Sequence, residues 1–136
     1  MRFVLASFVC LSAFAASPAR LLDPVPIRFE RGSGPVRWGA HGFGYALSFT
    51  DQSTIFRLDD RAIQLSFPGS NASARFEATG RASAATNYFI GNRSLSVPGY
   101  RRLRHVGVYP GIDVVYYGNG RQMEYDFGSM PGEDRL

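Results

Sequence analysis

The chain has 136 residues, of which 45% are hydrophobic, 14% aromatic and 19% charged, and this length allows one domain with or without a targeting segment. The aromatic content excludes a disordered chain, and a mean hydropathy of -0.12 without an apolar run of about 18 residues excludes a membrane-spanning helix. The net charge of +4 comes from arginines, with no lysine, and because these arginines are scattered along the chain we expect no nucleic-acid partner.

Residues 1–19 have the layout of a secretory signal peptide. A short positive start is followed by an apolar stretch, and small residues permit cleavage after Ala15 or after Ala19. Cleavage at either point removes Cys10, the only cysteine, so we expect an exported domain without disulfides. Residues 20–136 are then predicted to form a single β domain that is secreted or held at the cell surface.

Period-two alternation predicts short strands in the first half of this domain. Residues 45–50 and 62–67 alternate apolar and polar side chains, which is typical of a half-buried strand. Residues 54–58 are predicted to form another strand between them, and Asp59–Asp60 a turn. The apolar side chains expected to point inward are Tyr45, Leu47, Phe49, Ile63, Leu65 and Phe67.

A β-hairpin is predicted near the end of the chain. Residues 112–117 are β-branched and aromatic, and residues 121–127 alternate polar and apolar side chains. The segment Gly118–Gly120 between them suits a tight turn, because Gly and Asn tolerate positive φ. We expect the hairpin to bury one face, which carries Met123, Tyr125 and Phe127.

Segments rich in Gly and Pro interrupt the rest of the domain every ten to twenty residues or so, which is typical of short strands joined by turns. Residues 70–85 are rich in Ala and Ser and lack a clear period, so they are predicted to be a loop around a short strand at Arg75–Glu77. The predicted fold class is therefore all-β, either an antiparallel β-sandwich or an open barrel-like sheet.

Several segments resemble the N-terminal uncharacterised domain of bacterial SBBP (β-propeller repeat) proteins and occur in the same order as in that family. The resemblance extends from Phe29 to Pro131. The segments that carry it are residues 29–32, 42–47, 86–92 (TNYFIGN), 97–100, 108–119 (VYPGIDVVYYGN) and 121–127 (RQMEYDF).

The resemblance implies an exported, mostly β domain attached to repeat or immunoglobulin-like modules, without an established biochemical role. In that family the domain continues into further strands, whereas this chain ends at Leu136. We therefore expect a C-terminally incomplete domain with an unpaired sheet edge, which tends to recruit other domains or chains.

The sequence predicts no catalytic, cofactor or metal site. Only His41 and His105 could act as a catalytic base, both are expected at the surface, and no G-x-S-x-G signature surrounds a serine. Glu124 and Asp126 share one strand face, as a glycoside hydrolase would need, but a solvated polar face is the simpler interpretation. No calcium-loop pattern is present.

A ligand-contacting surface is expected around the predicted hairpin, because tyrosines there offer flat, amphipathic contact area. The preferred hypothesis is a non-enzymatic structural or adhesion module of a larger extracellular protein. The alternatives are a module that binds a carbohydrate, such as an extracellular glycan, or an anionic polymer, and a hydrolase. The residues assigned to ligand binding are Tyr109, Asp113, Tyr117, Asn119, Arg121 and Glu124.

Overall fold

The computed structural model describes residues 26–42, 44–120 and 122–129, in which all regular structure is β-strand. The predicted signal peptide at residues 1–19 lies outside the described residues. The described residues contain no helix that is long and apolar enough to cross a membrane. The strands are β1 (Phe29–Arg31), β2 (Trp38–Gly42), β3 (Tyr45–Phe49), β4 (Ser53–Leu58), β5 (Arg61–Ser66), β6 (Arg75–Ile90), β7 (Arg93–Tyr109), β8 (Ile112–Asn119) and β9 (Gln122–Ser129).

The strands form one antiparallel sheet that curls into a half-barrel, which confirms the all-β prediction in its open barrel-like form. The strand order is β5-β4-β3-β2-β1-β7-β8-β9, and β6 pairs with β7 outside this path. The curl brings Phe49 of β3 against Tyr116 of β8, with ring centroids 4.8 Å apart. The Tyr116 hydroxyl also lies 3.1 Å from Oγ1 of Thr54 on β4, so strands distant in the sheet order meet across the core.

The core lies on the concave side of this half-barrel. Phe49 and Tyr116 are fully buried, and burial of a side chain of this size contributes roughly 2 to 3 kcal/mol relative to exposure. The period-two alternation predicted for residues 45–50 is confirmed, because Leu47 and Phe49 are buried while Ser48 between them is only half-buried. The buried hydrophobic cluster comprises Ile27, Phe29, Trp38, Ala40, Leu47, Phe49, Leu103, Val108, Val114 and Tyr116.

Tight turns join consecutive strands at the positions where the sequence allows positive φ. Asp59 has a φ of 51° between β4 and β5, which confirms the predicted turn at Asp59–Asp60. The turn between β7 and β8 is Pro110–Gly111, where Gly111 has a φ of 70°. A type II turn requires a positive φ at its third position, here Gly111, and proline is common at the position before it.

The short strand predicted at Arg75–Glu77 is present, but the loop predicted at residues 78–85 is wrong, because β6 continues from Arg75 to Ile90. The strand pairs with β7 from Arg75 to Arg81 and again from Ala85 to Ile90. A register shift separates the two halves, and Gly80 has a φ of 68°. This irregularity removes the continuous alternation by which a strand is recognised in the sequence.

The prediction that the terminal strands bury a full apolar face is also wrong. Ile63 on β5 is 60% exposed, and Tyr125 and Phe127 on β9 are 42% and 55% exposed. The predicted hairpin itself is present as β8 and β9, paired from Ile112 with Ser129 to Asn119 with Gln122. The apolar face of the hairpin is only partly covered because β9 is the last strand in the sheet order. Ile63 is exposed for the same reason, because β5 is the last strand at the other end, and no described strand lies beyond either of them.

Residues 85–98 form a two-stranded extension of the sheet, which we call the β6–β7 arm. Its strands pair with each other, whereas β1 pairs with β7 only at Gly99 and Tyr100. Among the described residues, the arm therefore has no third strand beside it. Three large apolar side chains near its turn are exposed, namely Phe89 (81%), Ile90 (68%) and Leu95 (55%).

Candidate functional site

Three of the predicted ligand-binding residues come together on the outer face of β8 and β9. Tyr117 is paired in register with Glu124, and Nδ2 of Asn119 donates a hydrogen bond to Oε1 of Glu124 at 2.9 Å. The guanidinium of Arg102 lies 5.6 Å from the Tyr117 ring centre, and the Tyr117 hydroxyl donates to Oδ2 of Asp126 at 2.8 Å. We call these five residues the outer patch.

Tyr117 acts as a hydrogen-bond donor in the outer patch. Its hydrogen bond to Asp126 is the largest of the effects that raise the pKa of Tyr117 to about 12, followed by desolvation and by Glu124. The phenol is therefore protonated at neutral pH and is available as a hydrogen-bond donor. The outer patch offers an aromatic ring, a guanidinium and two carboxylates, which suits polar recognition on an open surface.

Tyr109 and Asp113, two other predicted site residues, make their hydrogen bonds outside the outer patch. The Tyr109 hydroxyl donates to the backbone carbonyl of Pro68 at 2.8 Å, so it joins the end of β7 to the segment after β5. Asp113 is only 1% exposed, and its carboxylate accepts hydrogen bonds from two residues of β7. Arg121 lies outside the described residues.

Asp113 stabilises an irregular stretch of β7. Between the pairs His105–Val114 and Tyr109–Ile112, three residues of β7 lie opposite Asp113 alone. Gly107 in this bulge has a φ of 68°, and its N–H donates to Oδ1 of Asp113 at 2.7 Å. Nε of Arg104 donates to Oδ2 at 2.6 Å. Because Asp113 is buried and accepts hydrogen bonds from both partners, it holds this bulge of β7 in place.

Sequence analysis missed a second polar cluster, which joins the β6–β7 arm to the outer face of β1 and β2. Glu30 of β1 is 8% exposed, and the hydroxyls of Thr86 and Tyr88 donate hydrogen bonds to its two carboxylate oxygens. Nε2 of His41 on β2 lies 3.4 Å from the Tyr88 hydroxyl. We call these four residues the Glu30 cluster.

Glycines flank Glu30 on both neighbouring strands. Glu30 is paired with Gly39 on one side and with Gly99 on the other. A Cβ added at Gly99 would lie 3.2 Å from the Arg28 side chain, so this part of the face is already closely packed.

Tyr88 is a donor in this cluster. Desolvation is the largest cause that raises the pKa of Tyr88 to about 12, and the hydrogen bond to Glu30 is the next. A protonated phenol and a threonine hydroxyl both directed at one carboxylate hold the arm against the sheet. Two sequence features lie at this contact, the TNYFIGN segment and the Glu that follows Phe29. Neither feature indicates that the two segments meet in the fold.

The expectation that both histidines lie at the surface is correct for His41 and wrong for His105. His105 is 5% exposed and stacks on Phe76, with ring centroids 4.1 Å apart and planes inclined by 15°. Its Nε2 has no hydrogen-bond partner among the described residues. Burial is the main cause that lowers the pKa of His105 below its ordinary value of 6.5.

We predict that His105→Phe reduces the acid sensitivity of the fold. Since the folded-state pKa is depressed, the unfolded chain binds a proton at higher pH than the folded chain, and stability is lost as pH falls through about 6.5 towards the lower folded value. Phenylalanine keeps the stack on Phe76 and removes this proton uptake. Melting temperatures between about pH 7.5 and pH 5 should therefore fall less for the variant than for the parent. His41→Asn is the matched control and should follow the parent; equal acid sensitivity of His105→Phe and the parent would refute the prediction.

No group of three or more His, Cys, Asp or Glu side chains suited to a metal ion occurs in the part of the chain that the structure describes. No curated protein and no solved structure shows significant similarity to the chain. A family model for a domain of unknown function, DUF7948, matches residues 32–135. This match includes β2 to β9 and covers most of the 136 residues. The chain therefore belongs to the DUF7948 family of domains of unknown function.

Proposed function

We propose that this chain is a non-enzymatic interaction module that docks onto a neighbouring domain or chain through the β6–β7 arm. The observation that carries the proposal is the exposure of three large apolar side chains at the end of the arm, Phe89, Ile90 and Leu95. Large apolar side chains clustered on a projecting element are typical of protein–protein contacts.

The register of the arm distributes these side chains over both of its faces. Tyr88 is paired with Leu95, and Ile90 follows Tyr88 by two positions, so Ile90 and Leu95 lie on one face and Phe89 lies on the other. A partner could therefore hold the end of the arm from both sides. Complete burial of each of these side chains would contribute about 2 kcal/mol to binding before the cost of association.

The backbone of the arm provides a second means of docking. The outward edges of both arm strands are unpaired among the described residues, and such edges accept a further strand from another chain. The Glu30 cluster supports the proposal because it holds the arm in one position, and preorganisation lowers the entropy cost of binding.

Export and the extracellular setting are part of the same proposal. Export is supported by the signal-peptide layout of residues 1–19. A place in a larger bacterial protein of the SBBP-repeat type is supported by the resemblance of segments such as TNYFIGN, whose residues form the end of the arm and its turn.

The test is site-specific photo-crosslinking in cells that produce the protein naturally. A photoreactive residue at Phe89 should give a defined adduct, and the same residue at Gln64, an exposed position on β5, should not. Phe89→Ser combined with Leu95→Ser should abolish an adduct formed from Ile90 while the melting temperature stays close to that of the parent. Absence of an adduct at Phe89, or equal adducts at Phe89 and Gln64, would contradict the proposal.

The second candidate is a glycan-binding module that uses the outer patch, where two carboxylates beside one guanidinium disfavour an anionic polymer. It is favoured by the cation–aromatic pair of Arg102 and Tyr117 next to Asn119. Binding on a glycan array that is lost in Tyr117→Ala and retained in Phe89→Ser would favour this candidate over the arm. Turnover by a glycosidase panel that is lost in Glu124→Gln would instead favour a hydrolase.

A further inference from the structure

Arginines from three separate elements converge at a depression that no residue of the outer patch lines. Arg31 is the last residue of β1, Arg37 directly precedes β2, and Arg75 begins β6. They surround a surface depression of about 240 Å³. Trp38, Asp51 and Phe76 also line it.

The charges around the depression leave it positive. Asp51 is its one acidic lining residue among the described residues, and Nε and Nη2 of Arg37 each lie 3.0 Å from its carboxylate oxygens. Arg75 is paired with Glu77, with Nη2 at 3.0 Å from Oε1. Arg31 has no ion-pair partner among the described residues, and its guanidinium lies 5.4 Å from the Trp38 ring centre. With the Glu77 carboxylate included, three guanidiniums and two carboxylates leave the depression a net positive charge, which comes from Arg31.

The paired arginines retain donors for a further group. A guanidinium carries five N–H donors, and the pair with Asp51 occupies one on Nε and one on Nη2 of Arg37. The Arg37 and Arg75 side chains are 55% and 71% exposed, so their remaining N–H groups are accessible. Arg31 is exposed as well and offers all of its donors.

The floor of the depression is apolar. Trp38 is 6% exposed and Phe76 is half-buried, and both rings belong to the edge of the core. An ion beside such a floor is less completely screened than one surrounded by water, which strengthens its attraction to the guanidiniums. The stack of Arg31 on Trp38 also holds the guanidinium in place, a mode in which lysine cannot replace arginine.

We propose that this depression binds an oxyanion group, a carboxylate or a phosphate ester, carried by an extracellular anionic ligand. Arg31 supplies the unpaired guanidinium, and Arg37 and Arg75 complete the shell of donors. Arginine is suited to this role because its planar fork matches both carboxylate and phosphate oxygens. The site is independent of the β6–β7 arm, so either proposal can fail without the other.

The experiment is a titration of the full chain, observed by backbone amide NMR, with inorganic phosphate and separately with a galacturonate trimer. Saturable shifts at Arg31, Arg37 and Arg75 are expected with at least one probe, and the probe that binds more tightly identifies a phosphate or a carboxylate ligand. Arg31→Gln and, as a second variant, Arg75→Gln should each weaken binding by about tenfold or more, the effect of one charge-assisted hydrogen bond.

Arg57→Gln is the matched control, because Arg57 is an exposed arginine on β4 that does not line the depression. It should leave the affinity unchanged, as should Phe89→Ser at the arm. Absence of saturable shifts with both probes at about 10 mM would overturn the proposal, since that limit corresponds to a binding free energy of less than about 3 kcal/mol. Equal weakening by Arg57→Gln and Arg31→Gln would overturn it as well, because binding would then reflect net charge alone.

Discussion

Replacement of Asp113 by alanine is expected to lower the free energy of unfolding by about 3 kcal/mol, the scale observed when one partner of a buried charge pair is removed. The Asp113 side chain is 2% exposed and is paired with Arg104, whose own side chain is 30% exposed. Alanine would leave the Arg104 guanidinium without its carboxylate and the Gly107 N–H without its acceptor. The Gly107 bulge would lose the group that holds it.

Urea denaturation at neutral pH measures this loss as a lower midpoint with an unchanged slope. Asp113→Asn keeps an oxygen for the Gly107 N–H and loses the charge, so we expect an intermediate effect. Asp126→Ala is the matched control on the same outer side of the sheet, because Asp126 is exposed and accepts one hydrogen bond from Tyr117. Because solvent screens a hydrogen bond between exposed groups, this loss should be far smaller than that of Asp113→Ala. Equal losses for Asp113→Ala and Asp126→Ala would contradict a structural role for the buried pair.

Sequence patterns predicted those elements whose side chains alternate without interruption. Residues 45–50 and 54–58 were predicted as strands because each is short, regular and bounded by turn residues, and β3 and β4 occupy nearly the same ranges. The β8–β9 hairpin was predicted for the same reason. In each of these elements, the alternation of apolar and polar side chains agrees with the strand pairing in the fold.

The sequence could not predict features that depend on where the sheet ends or bends. Ile63 and Phe127 have the pattern of inward residues, but their exposure follows from the position of β5 and β9 at the ends of the sheet order. The length of β6 was missed because the register shift after Arg81 interrupts its alternation. Periodicity describes one strand at a time, whereas exposure at an edge is a property of the whole sheet.

The fold brings together half of the predicted site residues. The sequence did not indicate the residues that hold the arm. Tyr117, Asn119 and Glu124 meet because they are close in one hairpin. Glu30 and its two hydroxyl donors are 56 and 58 positions apart, a separation that no local pattern reports. Asp113 was interpreted as a ligand-binding carboxylate because its type and neighbours suit that role, but the bulge that encloses it is visible only in the fold.

The Glu30 cluster connects the position of the β6–β7 arm with the proposed docking function. The β6–β7 arm has no third strand beside it among the described residues, and an isolated two-stranded hairpin is marginally stable in water. The hydrogen bonds to Glu30 therefore contribute much of what keeps the arm in one position. A change at Glu30 should affect the arm far more than it affects the core around Phe49 and Tyr116.

Glu30→Ala is accordingly expected to release the arm from the sheet while the half-barrel stays folded. Each hydrogen bond to a charged acceptor contributes about 1.5 to 3 kcal/mol, so loss of both should reduce hydrogen-exchange protection of the arm amides, residues 85–98, by about 100-fold or more. Amides of β3 and β8 should keep their protection. Crosslinking from Phe89 to its partner should weaken, because a mobile arm must be ordered again on binding.

Spectrophotometric titration of the tyrosines gives a second, independent measurement. Burial and Glu30 together raise the pKa of Tyr88 to about 12 from an ordinary value of 10.0. Without the Glu30 carboxylate, and with the arm more exposed to water, both causes weaken and the pKa of Tyr88 should fall towards its ordinary value. Glu77→Ala removes a carboxylate on β6 that is paired with the exposed Arg75, and it should change neither the arm protection nor this titration. Unchanged protection of the arm in Glu30→Ala would mean that the pairing of β6 with β7 alone fixes its position, and the cluster would then have no part in presenting Phe89 to a partner.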